Sequence, residues 1–132
     1  MANHLSPSEN MRKRIALLMN KDVDGWVAQY ADSAVHEFPF AQPGRPSRLE
    51  GRTAIREFMR RIPDFMSYEE LSELVAYESA DGQTITAEFR LKGRMVSTGA
   101  PFNMNYIWVI SFRDGKIVRF HDYMNPLTLP QR

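Results

Sequence analysis

The 132-residue chain has no cysteine. That excludes a disulfide frame, a thiolate metal site and a cysteine nucleophile. No apolar run approaches the roughly 20 residues of a membrane-spanning helix. No charge dominates: 17 Lys and Arg stand against 16 Asp and Glu, for a net charge of +1. That balance supplies no broad positive field, so neither nucleic acid nor an anionic membrane is an expected partner. Histidines number three. No two of them stand at ligand spacing on one element, so no metal is expected. GxGxxG, P-loop and nucleophile-elbow patterns are missing too, and no cofactor is expected. The start, MANHLSPSEN, has no basic stretch leading into an apolar core, so a cytoplasmic protein is expected.

What remains is an ordinary globular composition, 43% apolar and 25% charged. The length suits one domain over residues 1–132. Residues 1–8 read as a tail that carries His4. Within it, SPSE (6–9) marks a helix start: Ser6 caps, Pro7 suits the first position and Glu9 completes a capping box. Met11, Ile15, Leu18 and Met19 then recur at helical spacing, and the helix should end near Asn20. A second helix is expected over 22–32, bringing Val23, Trp26, Val27 and Tyr30 to one side. A short strand follows over 34–40, then a loop over 41–51. The loop stretch GRPSRLEGR (44–52) holds three arginines. They suit a solvated surface or a cover over an acidic or phosphorylated ligand. RTAIREFMRRI (52–62) is a third helix, stopped by Pro63.

Beyond it the period changes from 3.6 to 2. Strands are expected over 68–78, 83–95, 101–113 and 116–124, the last two joined at Asp114-Gly115. Helices come first and strands follow, which points to an α+β fold: a curved antiparallel sheet with three N-terminal helices on one face and a cavity between the layers. In VRFHDYMNP (118–126), Val118, Phe120, Asp122 and Met124 share a strand face, so a carboxylate stands among apolar neighbours. A two-residue turn at Asp114-Gly115 sets Asp122 opposite Ile107. A three-residue loop with a bulge at Gly115 sets Asp122 opposite Tyr106, Phe120 opposite Trp108 and Val118 opposite Ile110. The second register matches apolar faces and is preferred.

ADSAVHEFPF, LEGRTAIREFM and FRDGKIVRFHDYMNP together resemble the nuclear transport factor two-like superfamily, above all its SnoaL-like polyketide cyclase and ketosteroid-isomerase-related group. The likeness covers roughly residues 10–126. It implies a cone-shaped α+β barrel with a deep apolar pocket, often dimeric through the outer sheet face. It implies that Asp122 projects into the cone as acid, base or positioner. The ending also resembles phenazine-biosynthesis isomerase-like proteins and limonene epoxide hydrolase. Phe89 and Leu91 replace the Arg and Asp of the epoxide hydrolases, and Phe58 replaces a pocket histidine of the phenazine type. Those two machineries are therefore not expected.

Asp122 is the expected catalytic group, a desolvated carboxyl with a raised pKa. The bland reading is a solvated or hydrogen-bonded Asp at the cone mouth. His36 and Glu37 are strand neighbours, so one faces the pocket. Periodicity favours His36, and the resemblance favours Glu37. Tyr106 is the polar handle. Trp26, Tyr30, Phe58, Phe89, Met104, Trp108 and Phe120 are pocket wall or core. His121 and Arg119 fall on the outer sheet face. The expected function is a proton-transfer enzyme, an isomerase, cyclase or dehydratase for an apolar ketone- or ring-bearing small molecule. The alternative is a non-catalytic module that binds a hydrophobic ligand or associates through its sheet. A homodimer is expected.

Overall fold

The structure is a computed structural model and describes residues 5–128. His4 and the first half of the expected tail lie outside the described residues. The second half does not read as a tail, since Pro7 and Ser8 belong to the first helix, α1 (Pro7–Met19). Its capping box is formed: Glu9 N–H donates to Ser6 Oγ at 3.1 Å, and Ser6 N–H donates to Glu9 Oε1 at 3.1 Å. Two of the four donors that a helix start leaves free are thereby satisfied. Met11 and Ile15, one turn apart, are fully buried, and Asn20 closes the helix.

The second helix is shorter than expected. α2 spans only Val23–Val27, and the chain is already extended at Tyr30, where β1 (Tyr30–Glu37) begins. Five residues make little more than one turn, too little to hold without packing. Trp26 and Val27 bury that turn in the core. Inside the expected loop, β2 (Arg48–Glu50) pairs with β1. The third helix divides into α3 (Arg52–Met59) and a single turn, α4 (Ile62–Phe65). Pro63 does not end the helical region. It sits in the first turn of α4, where its missing N–H costs nothing.

β3 (Met66–Glu78), β4 (Thr84–Met95), β5 (Pro101–Arg113) and β6 (Lys116–Met124) complete one six-stranded sheet in the order β2-β1-β6-β5-β4-β3. The sheet is mixed rather than wholly antiparallel: β1 runs parallel to β6, with His36 beside Phe120 and Glu37 beside His121. The helices cover one face. Register shifts in β1, β3 and β6 curve the sheet around them.

The β5–β6 register differs from both expectations. Asp114 and Gly115 both have positive φ, 51° and 78°, as a two-residue type I′ turn requires. Arg113 pairs with Lys116 and Phe112 with Ile117, but Ser111 pairs with Arg119. The extra residue is therefore Val118, a bulge inside β6 rather than at Gly115. It places Asp122 opposite Trp108, Phe120 opposite Ile110 and Met124 opposite Tyr106. The bulge also exchanges Val118 for Ile117 in the core, where Ile117 is fully buried. Apolar face still meets apolar face, because one inserted residue reverses the parity of all that follow.

Gly93 marks the tightest strand approach. A Cβ there would lie 2.0 Å from the Ser67 carbonyl oxygen and 2.7 Å from Phe102 Cζ. The hydrogen side chain lets Phe102 fold over β4 and meet Tyr68 edge-on at 5.7 Å. Gly93→Ala should destabilise the fold by about 1–3 kcal/mol, the usual cost of overpacking. The midpoint of urea unfolding checks this, and an unchanged midpoint would refute the close approach.

Candidate functional site

One end of the curved sheet is filled by side chains such as Ile85, Ile110, Ile117, Met11 and Ile15. The other end opens into a cavity of about 180 Å³. Its walls come from α1, α2, α3 and α4, from the inner faces of β1, β3, β5 and β6, and from the loop after β1. Most of the lining is apolar and aromatic, with Trp26, Phe38, Phe58 and Trp108 prominent.

Asp122 stands on β6 at this wall. Trp108 Nε1–H donates to its Oδ1 at 3.0 Å. His36 Nε2 lies 3.1 Å from its Oδ2. His36 Nδ1 in turn lies 2.9 Å from the Tyr30 hydroxyl. An ionised carboxylate only accepts, so with Asp122 ionised the His36 proton belongs on Nε2. Nδ1 then accepts from the Tyr30 O–H. The result is a donor chain Tyr30 to His36 to Asp122, with Trp108 closing the other oxygen. The His36 side chain is 3% exposed and that of Asp122 is 15%, so the histidine is enclosed while the carboxylate keeps an open side. Four lone-pair directions serve a carboxylate, and two remain for a ligand.

The imidazole is clamped. It stacks on Phe120 at 4.1 Å and 12°, and packs on Phe38 at 4.7 Å. Phe120 and Phe89 both support Trp108 edge-on, at 5.0 and 4.6 Å, while Trp26 meets it at 5.6 Å. Phe89 also stacks on Tyr106 at 5.3 Å and 13°. Phe89 and Phe120 hold the polar groups in place from behind, while Trp26, Phe38, Tyr106 and Trp108 also line the cavity.

Two phenols complete the lining. The Tyr106 hydroxyl donates to Met104 Sδ at 3.8 Å and the Tyr68 hydroxyl to Met66 Sδ at 3.7 Å. Thioether sulfur is a weak acceptor, and the two phenols also hydrogen-bond each other. Burial, with the Asp122 charge adding to it, lifts the Tyr30 phenol well above its ordinary value. Burial also raises Tyr106, helped by Tyr68 and then by Asp122, and burial raises Tyr68 against the lowering effect of its hydrogen bond with Tyr106, with Asp122 adding to the rise. All three therefore stay protonated and able to donate.

The expected residues divide cleanly. Asp122, His36, Tyr106, Trp26, Trp108 and Phe58 line the cavity. Tyr30, Phe89, Phe120 and Met104 stand behind it as supports. Glu37 faces away from it. Its Oε1 is 3.3 Å from His121 Nε2 and 3.5 Å from Arg48 Nη1. Alternation along β1 puts its side chain on the outer face once His36 points inward. Among the described residues no cluster of His, Asp or Glu is placed to hold a metal ion, and no helix is long and apolar enough to cross a membrane. Tyr68 and Gln42 are cavity residues not expected from the sequence. Phe38 follows from the same alternation as His36, Arg45 belongs to the loop arginines that suit a cover, and Tyr68 carries a signal as the aromatic at the start of the second expected strand.

The sequence pattern of the SnoaL-like domain matches residues 11–120. The chain belongs to the SnoaL-like family. It is 39% identical over 123 residues to the uncharacterised Bacillus subtilis protein YesE, covering 93% of this chain and 84% of that one. A solved Bacillus subtilis structure described as a candidate isomerase is 38% identical, with TM-score 0.87 over 96% of this chain and 92% of the other. A candidate polyketide cyclase from Pseudomonas putida KT2440 shares the fold at 19% identity, with TM-score 0.79 over 95% and 96% of the two chains. This SnoaL-like chain thus has the α+β cone of the nuclear transport factor two-like superfamily, with the aromatic cavity at its open end.

The buried phenols give that cone an alkaline limit. Tyr30, Tyr68 and Tyr106 hold their protons in the folded state at a pH where the unfolded chain, near the ordinary value of 10, releases them. Their contribution is complete below about pH 10 and is lost as pH rises above it, at up to about 1.4 kcal/mol per pH unit each. Urea unfolding between pH 9 and 11.5 should show this fall, and Tyr68→Phe should make it shallower. An equal slope in the variant would contradict the assignment.

Proposed function

We propose that this protein is a small cofactor-independent enzyme, working in the cytoplasm, that moves a proton on an apolar ketone- or ring-bearing molecule. Asp122 is its general base and acid. The observation that carries the reading is the Asp122 carboxylate, fixed by Trp108 Nε1–H and His36 Nε2 yet open to an aromatic cavity. A ketone lying there presents a carbon-bound α-proton to one free lone pair of Asp122. As the proton leaves, the C–H electron pair moves into an enolate. Hydroxyls aimed at the developing oxyanion stabilise it most when they are already in place. Tyr106 and Tyr68, which line the cavity and keep their protons, are the candidates for such donors. Asp122 then returns the proton to another carbon, which is isomerisation. If Asp122 instead gives the proton to a β-hydroxyl, the enolate re-forms the ketone and expels water, which is dehydration; if the enolate carbon attacks an internal carbonyl and the resulting alkoxide takes that proton, the product is cyclised. The likeness to a candidate isomerase and a candidate polyketide cyclase supports this class of chemistry.

His36 is a positioning residue in this scheme. Its Nε2–H holds the carboxylate oxygen while Tyr30 and Phe120 fix the ring. A homodimer through the outer sheet face belongs to the same reading. Val75, Tyr77 and Ile107 stand exposed on that face.

A second reading, a non-catalytic module for a hydrophobic ligand, draws on the fact that both Asp122 oxygens already accept hydrogen bonds. Exchange of α-protons for deuterium separates the two. The apolar bicyclic ketone 2-tetralone in D2O, followed by proton NMR, should exchange faster with wild-type protein than with buffer. Asp122→Asn should lower that catalysed rate by about 10²–10⁴-fold, the range for a general base. The variant should still fold, because the amide nitrogen can donate to His36 Nε2 once the imidazole proton moves to Nδ1. A ketone that binds without exchange, or an Asn variant with the full rate, would overturn the enzymatic reading.

A further inference from the structure

We infer that the ligand of this cavity carries an acidic group, a carboxylate or its like, held at the mouth by Arg45. The inference rests on the proposed use of the cavity and adds its substrate class: an apolar ring-bearing acid, entered ring first.

The charges of the cavity support it. Among the described residues that line it, Arg45 is the one cation and Asp122 the one carboxylate. Several arginines are engaged elsewhere, and of those that are not, among the described residues, Arg45 is the one at the cavity. Arg48 meets Glu50 at 2.7 Å, Arg56 meets Asp24 at 2.8 Å, Arg52 meets Asp32, and Arg90 meets Glu73 at 2.7 Å. The Arg14 guanidinium lies on Phe112 and donates to Gln29 Oε1 at 2.7 Å. Among the described residues, the Arg45 side chain has neither a carboxylate nor a hydrogen-bond partner. It is exposed at the rim, beside Gln42.

The backbone holds it there. Gln42-Pro43-Gly44-Arg45 is a tight turn closed by Arg45 N–H to Gln42 O at 3.1 Å. Gly44 has φ 83°, and Pro43 precedes it, the residue pair that a type II turn selects. Phe38 N–H to Ser47 O at 2.9 Å and Ala41 N–H to Phe38 O at 3.0 Å tie both sides of the loop to the rim. Arg45 is therefore presented by a braced turn.

Electrostatics then orient the ligand. An anion beside Asp122 would meet a like charge in an apolar wall, which disfavours it. The same anion at the rim meets a guanidinium whose planar fork matches a carboxylate. The ring portion is left to the aromatic wall, with its reactive carbon at Asp122. Gln42 adds an amide donor beside the same rim position.

Intrinsic fluorescence tests this, because the chain has two tryptophans and both line the cavity. The probes are cyclohexylacetic acid and cyclohexylacetamide, matched in shape and transparent at the excitation wavelength. At pH 7.5 and low salt the acid should bind wild-type protein about tenfold more tightly than the amide, since a hydrogen bond to a charged group is the stronger. Added salt should narrow the ratio. Arg45→Gln should bring it close to one through loss of acid binding, while Arg61→Gln, outside the cavity lining, should leave it intact. Equal binding of acid and amide by wild type, a ratio that survives Arg45→Gln, or no binding of either probe would overturn the inference. The amide reports the cavity alone, and deuterium exchange on the neutral ketone reports Asp122. Failure of the acid preference therefore differs visibly from failure of the proton-transfer reading.

Discussion

A carboxylate in an apolar wall needs donors, and the rest of the site follows from how Asp122 receives them. An ionised group without partners in such a place is costly enough that it would take up a proton or turn to water. Trp108 supplies one donor from the neighbouring strand, at 3.0 Å. His36 supplies the other from β1, at 3.1 Å. A histidine that is itself enclosed then needs a partner on its second nitrogen, and Tyr30 meets that need at 2.9 Å. Each requirement brings in the next residue. The chain stops at Tyr30 because a hydroxyl beside Nδ1 finishes the accounting for the imidazole.

The parallel pairing of β1 with β6 makes this arrangement possible. It sets His36 beside Phe120 in the ladder, which brings the imidazole flat on that ring and within reach of Asp122 two residues on. The bulge at Val118 does the complementary work on β6. Without it, a two-residue turn would put Asp122 opposite Ile107, whose side chain faces outward. One added residue in the strand interior turns Asp122 inward, opposite Trp108. A cavity then remains because the curved sheet and short helices enclose more space at this end than the aromatic side chains fill.

Much of the fold is legible in the sequence. Ser6 and Glu9 announce α1, the period of two marks β3 to β6, and strict alternation from Phe102 to Ile110 gives the inner face of β5. Asp122 stands out for the same reason, as a carboxylate at an apolar position. The inward turn of His36 follows from alternation too, whereas likeness to relatives pointed to Glu37. What escaped had nonlocal causes. The bulge at Val118 leaves no mark in composition, because Val and Ile suit a strand equally. Tyr30 reads as helical beside Trp26, yet its side chain is needed by His36. β2 has three residues and exists only through its pairing with β1. Arg45 is one of three loop arginines that suit either a solvated surface or a cover over an acidic or phosphorylated ligand. Only the partners found by Arg48 and Arg52 set it apart.

The family likeness fixes the cone and leaves the chemistry to the residues inside it, since one fold carries many reactions. Those residues narrow the choice by what they are able to exchange. On the proposed reading Asp122 exchanges the proton while His36 holds the carboxylate in place, and the two phenols donate hydrogen bonds while resisting ionisation. The aromatic wall offers a flat or alicyclic body apolar surface to pack on. A single carboxylate with neutral donors suits a reaction in which negative charge appears on oxygen and disappears again, with no group transferred to the protein. The proposed enolate chemistry asks only for a base, donors and an apolar wall, the roles it gives to Asp122, the two phenols and the surrounding rings.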